Sequence, residues 1–339
     1  LEAVTRTTGV SASASPGNGG TSISSRGFNG HGSTVYTYDG TRLYIVAGTV
    51  TFPADTWTLE RVEVLRGAGS VINGVGALGT TINYVPKSPV LGESDFEAAV
   101  ALGSFDMKRM ALGGGAQISD EWAFRLDGSY QEEEGYADRA DESREVLAGS
   151  LLYQPSTDLS VRFSVDYADI DAAAFWGTPL IDGKASSSHR QNNYNFEDGK
   201  VVFEDMWSRM HVEWNLADNI TFRNDTYVLN ASREWQNLEE YSYNAGTNQI
   251  DRAFYLGIVH EEDQVGSRFD FLIDTEIGGL ANSLSIGGEV NDIELDYLNN
   301  FSTGGFGVGD SVAIFGFNPG TTPKDTIPTI LDYQTDTQQ

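Results

Sequence analysis

Glu121-Trp122-Ala123-Phe124-Arg125-Leu126-Asp127-Gly128-Ser129-Tyr130-Gln131 separates cleanly into two faces. Trp122, Phe124, Leu126, Gly128 and Tyr130 fall on one, Ala123, Arg125, Asp127, Ser129 and Gln131 on the other. Side chains alternate across a β-strand, so period two with one apolar set marks a strand between apolar and polar surroundings. The length adds information. Strands of soluble sheets usually run five or six residues, whereas the strands of a membrane barrel are alternating segments of about ten.

The pattern recurs downstream. Leu159, Val161, Phe163, Val165 and Tyr167 alternate with Ser160, Arg162, Ser164 and Asp166. Met210, Val212, Trp214 and Leu216 alternate with Arg209, His211, Glu213 and Asn215, and Phe269, Phe271 and Ile273 with Arg268, Asp270 and Asp274. Ile220–Asn230 mixes its faces, and the pattern slips between Val290 and Ile293. Short turns at Ile118–Asp120, Pro155–Asp158, Ala217–Asn219 and Gly278–Leu280 alternate with long polar loops at Glu132–Glu142, Asp169–Lys200, Trp235–Asp251 and from Asn299 onward. Short turns at one end and long loops at the other point to an outer-membrane barrel rather than a soluble β-sandwich. Trp122, Tyr153 and Trp214 sit beside short turns, where an aromatic girdle belongs. The spans number nine or ten, against about 22 in a plugged transporter barrel.

Composition sets bounds. The chain of 339 residues has no cysteine, which removes disulfides, thiolate zinc sites and thiol catalysis. Its net charge of −28 argues against a nucleic-acid surface. No stretch approaches the ~20 apolar residues of a membrane helix, which says nothing against a barrel. There is no Met start and no signal peptide at Leu1-Glu2-Ala3-Val4-Thr5-Arg6, and no closing strand after Thr335. The expectation is a piece of a longer protein.

Residues 1–90 differ in texture, being rich in Gly, Ser and Thr with short strand-like runs. They carry four blocks: Arg26-Gly27-Phe28; Val35-Tyr36 with Asp39-Gly40 and Arg42-Leu43; Leu59-Glu60-Arg61-Val62-Glu63-Val64-Leu65-Arg66-Gly67; and Gly76-Ala77, Gly79, Ile82-Asn83-Tyr84-Val85, Lys87 and Pro89. In order and spacing these resemble the plug domain of TonB-dependent receptors, siderophore-receptor branch. Leu1–Val10 resembles the plug helix and its following turn. Three positions depart from the family pattern: Ile72-Asn73-Gly74, Ala77-Leu78-Gly79-Thr80 and Val85-Pro86-Lys87.

The resemblance implies a mainly β protein. An α+β plug domain over 1–90, N-terminally truncated, is followed over 91–339 by a partial antiparallel transmembrane β-barrel, C-terminally truncated. It implies residence in the bacterial outer membrane, surrounded by lipid. It also implies import of a ferric siderophore energised by the TonB-ExbB-ExbD complex, through a box that would precede Leu1. Arg26, the Tyr44–Phe52 loop and the Asn73 turn correspond to apical plug positions that touch ligand. Plug arginines of the family pair with barrel glutamates, which assigns Arg61 and Arg66 to lumen carboxylates such as Glu97, Asp127, Asp166 and Glu213.

The expected ligand surface is therefore Arg26, Tyr44, Phe52 and Asn73, closed over by the Asp169–Lys200 loop with its Phe175-Trp176 pair. A ferric chelate arrives with its iron already coordinated, so it needs aromatic faces and a cation rather than metal ligands. No enzyme activity is expected: catalytic residues, a cofactor and a metal site are all absent from the reading. Gly74-x-Gly76-x-x-Gly79 matches a dinucleotide fingerprint but precedes a strand-like run instead of a helix. His211 reads as a lumen residue and His260 as a solvated strand end, while His31 and His189 are the two candidates for ligating haem. Rival readings are the same fold carrying haem, cobalamin or an oligosaccharide, and a surface adhesin or phage-docking barrel without transport.

Overall fold

The computed structural model describes residues 2–15, 20–25, 27–28, 34–43, 54–67, 79–301, 309–323 and 330–338. A single helical turn, α1 (Glu2–Thr5), leads through Gly9, at φ 80°, into a two-stranded antiparallel ribbon of β1 (Val10–Ser15) and β2 (Gly20–Ser25). A four-stranded sheet follows, made of β3 (Thr34–Tyr38), β4 (Thr41–Leu43), β5 (Leu59–Arg66) and β6 (Thr80–Pro86) in the order β4-β3-β6-β5. β3 runs parallel to β6 and the other neighbours are antiparallel. Asp39-Gly40 closes the β3–β4 hairpin with φ of 50° and 79°, the left-handed pair that an Asp-Gly turn supplies at little cost. Gly79 leads directly into strand β6, so the glycine-rich fingerprint opens no helix for a pyrophosphate.

The remainder is a large antiparallel sheet. Its strands are β7 (Ser94–Leu102), β8 (Lys108–Ser119), β9 (Trp122–Glu133), β10 (Glu142–Tyr153), β11 (Leu159–Asp171), β12 (Lys200–Ala217), β13 (Ile220–Asn244), β14 (Gln249–Ile277), β15 (Leu280–Asn299) and β17 (Ile330–Gln338). They neighbour one another in sequence order, and short β16 (Asp310–Ala313) pairs with the start of β14. β7 and β17 are not paired with each other among the described residues, so the sheet is open, as part of a barrel would be.

Phe163, Leu126 and Val165 are exposed on the convex face while Arg125, Asp127 and Asp166 are buried on the concave one. That inversion is what lipid outside and a polar lumen inside require. Trp122 and Tyr153 stack across β9 and β10 at 4.5 Å, beside the short turns.

Four sequence expectations change, the first being the polar loop from Asn299 onward with no closing strand, since β17 pairs there with β15. Trp235–Asp251 is not a long loop: β13 continues to Asn244, and residues 245–248 turn directly into β14. At 25 and 29 residues, β13 and β14 far exceed the ~9–11 needed to cross a bilayer. Their upper parts, with those of β12 and β15, form a wall above it, with Glu204, Glu261, Asp263 and Glu294 exposed on the outside. Nor does β15 slip in register at Val290. Its pairing with β14 runs unbroken from Leu280 to Asn299. The apolar set changes face instead: Leu284, Ile286 and Val290 point outward, and Ile293 and Leu295 inward. Where the strand leaves lipid for water, the outer face is the one that must be polar. Ile220–Asn230 looked mixed for a related reason, because its inward Tyr227 and Leu229 pack on the plug.

That packing forms the largest core. Tyr36, Tyr38, Leu43, Ile82 and Tyr84 of the plug sheet meet Val146, Ala168, Trp207, Tyr227 and Leu229 of the barrel wall.

Candidate functional site

The β3–β4 hairpin tip is the plug's main handhold. The Tyr38 hydroxyl donates to Asp166 Oδ1 at 3.0 Å, and the Arg209 guanidinium lies over the Tyr38 ring. Burial, and then the neighbouring Asp166 carboxylate, push the Tyr38 phenol well above its ordinary pKa, so it remains a donor. Asp39 pairs with Arg162 and, at 3.4 Å, with Arg209, while Arg268 donates to the Gly40 carbonyl. A second fastening is Asp55, whose carboxylate accepts from Arg109 Nη2, Ser129 Oγ and the Trp57 N–H. Burial alone would raise its pKa; those hydrogen bonds outweigh burial and hold it below the usual range. Lys87, in the expected linker, pairs with Glu97 and Asp127 and lies 4.5 Å from the Trp57 ring centroid.

At the hairpin and at Asp55 the charge arrangement is the reverse of that expected for Arg61 and Arg66, whereas Lys87 keeps it, a plug cation on barrel carboxylates. Barrel arginines grip plug acceptors. Arg61 pairs with Glu63 two residues along its own strand, where both side chains are about half exposed, and Arg66 is exposed. The four carboxylates proposed as their partners are engaged elsewhere: Glu97 and Asp127 by Arg125 and Lys87, Asp166 by Tyr38 and Arg209, Glu213 by Arg223. Sequence spacing identified the plug arginines but carried no information on which lumen residues face them.

Above these contacts one register row crosses eight strands of the inner wall: Arg109, Gln131, Arg144, Ile170, Phe203, Arg233, His260 and Tyr297. Arg109 is spent on Asp55, and Arg233 lies 3.9 Å from Asp205. Arg144 forms no ion pair among the described residues, and its Nε is buried without a partner. His260 is only 2 % exposed, wedged between Trp235 at 5.0 Å and Tyr297 at 4.7 Å, with neither ring nitrogen hydrogen-bonded. It is therefore not a solvated strand end; it faces inward on a continuous strand. Phe203, Arg233 and His260 are buried, so the row offers the half-buried Arg144, Gln131 and Tyr297 on a concave wall, a cation and an aromatic ring that suit an anion with flat or apolar parts. Sequence reading missed Arg144 because Val146, Ala148 and Ser150 on its face are no more polar than Leu147, Gly149 and Leu151 on the other. It missed Arg233 because that residue falls between the mixed run Ile220–Asn230 and the stretch read as loop, Trp235–Asp251.

Arg26, Tyr44, Phe52, Asn73 and His31 lie outside the described residues. Phe175 and Trp176 are half-buried in the segment between β11 and β12, and Phe175 packs edge-on to Tyr136 at 5.6 Å. That segment is held firmly. Asn193 donates to the Ala174 and Arg139 carbonyls, Asn195 Oδ1 accepts from the Leu238 N–H, and Arg252 donates to the Tyr194 and Pro319 carbonyls while pairing with Asp310. His189 is fully buried with Nε2 against the Pro179 carbonyl, so it is not presented to a ligand. His211 faces the lumen as expected, 2.7 Å from Asp225. Among the described residues no cluster of His, Cys, Asp and Glu could hold a metal ion.

Comparisons with known proteins agree with this architecture. Residues 1–81 match the model of the TonB-dependent receptor plug domain. The chain is 25% identical over 303 residues to the ferric-pyoverdine M114 receptor of Pseudomonas sp. strain M114, covering 83% of this chain and 35% of that protein. It is 26% identical to the ferrioxamine receptor of Yersinia enterocolitica over 69% of this chain and 33% of that protein. The chain thus spans about a third of the length of the curated relatives it matches. Among solved structures, the Pseudomonas aeruginosa ferripyoverdine receptor bound to ferripyoverdine superposes with a TM-score of 0.80 at 18% identity, over 99% of this chain and 45% of that one.

Proposed function

We propose, for a chain that belongs to the TonB-dependent receptors of the Gram-negative outer membrane, that it is the plug and first barrel portion of a transporter for a ferric siderophore. The plug would occupy about residues 1–90 and the barrel would begin at about 91. Import would draw on the TonB-ExbB-ExbD complex through the rest of the receptor. The observation that carries the cargo class is the inner-wall row, where the half-buried Arg144, which forms no ion pair among the described residues, stands in one register line with Tyr297, the buried Phe203 and Arg233 lying between them. A preformed ferric chelate needs such a cation and such faces. The relatives' names, ferric-pyoverdine and ferrioxamine receptors, support the same class. Arg26, Tyr44, Phe52 and Asn73 would form the plug floor of this chamber, with Phe175 and Trp176 on its rim.

Equilibrium binding of a panel of ferric chelates to the full-length receptor tests the reading. Arg144→Ala should weaken the best chelate by about 1.5–3 kcal/mol, as for a lost charge-assisted hydrogen bond. Binding of haem or of a neutral oligosaccharide, with every ferric chelate inert, would replace it.

A further inference from the structure

The outer face of β8–β10 carries a recess that import does not explain. Near the short turns the outward residues are bulky, as where Phe222 of β13 meets Phe271 of β14 at 5.1 Å. On β9 and β10, by contrast, Gly128 stands opposite Leu147 and Gly149 opposite Leu126. Two adjacent cross-strand pairs each lack one side chain. The result is an apolar trough of about 1100 Å³, floored by Gly128 and Gly149 and walled by Phe124, Val165, Tyr130 and Tyr167. It runs from Phe124, the next outward position beyond Trp122, to Tyr130, with Gly128 toward the end away from the short turns. At its far end Tyr130 turns its hydroxyl to Glu132 at 3.0 Å, where the surface becomes polar. The trough is continuous with the lipid-facing belt, reaches its extracellular edge, and ends there in tyrosine at headgroup depth.

We infer that this trough seats a fatty-acyl chain of an outer-leaflet lipid, held longer than the surrounding annular lipid. An acyl chain matches the recess in chemistry, being apolar, and fills space that the glycines leave open. The glycines differ in how replaceable they are. A Cβ on Gly114 would meet the Asp95 carbonyl at 2.7 Å, so the backbone itself requires glycine there. A Cβ on Gly128 would meet the end of the Leu147 side chain at 3.0 Å and the Val146 carbonyl at an ordinary 3.6 Å, and one on Gly149 the end of the Leu126 side chain at 3.2 Å. Strand packing therefore does not demand glycine at those two positions. Their smallness serves the recess.

The test uses the full-length receptor in phosphatidylethanolamine–phosphatidylglycerol vesicles doped with phosphatidylethanolamine bearing a diazirine near the end of one acyl chain. After photolysis and peptide mapping, β9 and β10 should carry at least three-fold more label than the lipid-facing parts of β12 and β13. Gly128→Leu with Gly149→Leu should bring that ratio to about one. Should the double variant fail to insert, as shown by loss of heat-modifiable mobility, Gly149→Ala alone should still lower the ratio. Even labelling around the wild-type barrel, or a ratio unmoved in a correctly folded filled variant, overturns the inference. Neither result depends on which cargo the receptor binds.

Discussion

The guanidinium of Arg209, on the barrel wall, lies 4.6 Å from the centroid of the Tyr38 ring at the tip of the plug hairpin. The same side chain reaches Asp39 and approaches Asp166, so one barrel residue touches three acceptor surfaces, two of them on the plug. Removing it leaves Asp166 buried beside a phenol and without its paired guanidinium. Arg209→Ala should destabilise plug docking by about 3–5 kcal/mol, the usual range for breaking a buried pair. Hydrogen exchange on the full-length protein should show faster exchange in β3 and β4. Arg61→Ala, which breaks an exposed pair, should change it little. Equal effects of the two substitutions would contradict the reversed charge arrangement.

Asp55 provides a pH signature. Its pKa in the folded protein is depressed below the unfolded value of roughly 3.9. A depressed carboxylate contributes stability that is present above the unfolded pKa and lost as pH falls through the folded one. Docking through Arg109 should therefore be constant from neutral pH to about pH 5 and decline only below roughly pH 4. Asp55→Asn should flatten the acid limb of a plug-exchange profile without moving its neutral portion relative to pH 6. An unchanged acid limb would show that Asp55 is not the titrating group.

The bilayer assignment of β9 and β11 is tested at Phe124 and Phe163, which face outward in one register row through Leu151, the next outward row beyond Trp122 and Tyr153. Arginine at either position should cost about 2–4 kcal/mol if it lies near the midplane. Spin labels there should report oxygen-rich lipid; a water signal from both would refute the span.

The segment between β11 and β12 is tied to its neighbours rather than free to swing. Asn195→Ala should leave the buried Leu238 N–H without its acceptor and cost about 1–3 kcal/mol. Limited proteolysis should then cut within residues 172–199 faster than in wild type. If the rate is unchanged, the network does not restrain the segment.

Much of this protein is determined by sequence alone. Period two in Glu121–Gln131 fixes strand and lipid face together, because a one-residue shift would send Arg125 and Asp127 into lipid. The Asp39-Gly40 turn is likewise local chemistry, since few residue pairs accept two positive φ values in succession. Alternation within one strand cannot reveal which residues meet across the lumen. Arg61 and Arg66 stand out in the sequence, yet the plug is gripped by Arg162, Arg209 and Arg268, brought to the hairpin from three strands by the closing curvature of the sheet. The same holds for the row containing Arg144 and Arg233, whose members lie 89 residues apart in sequence and share a height only through strand register. Register is a sum over many pairings, each set by its own turn, and only the assembled sheet performs that sum.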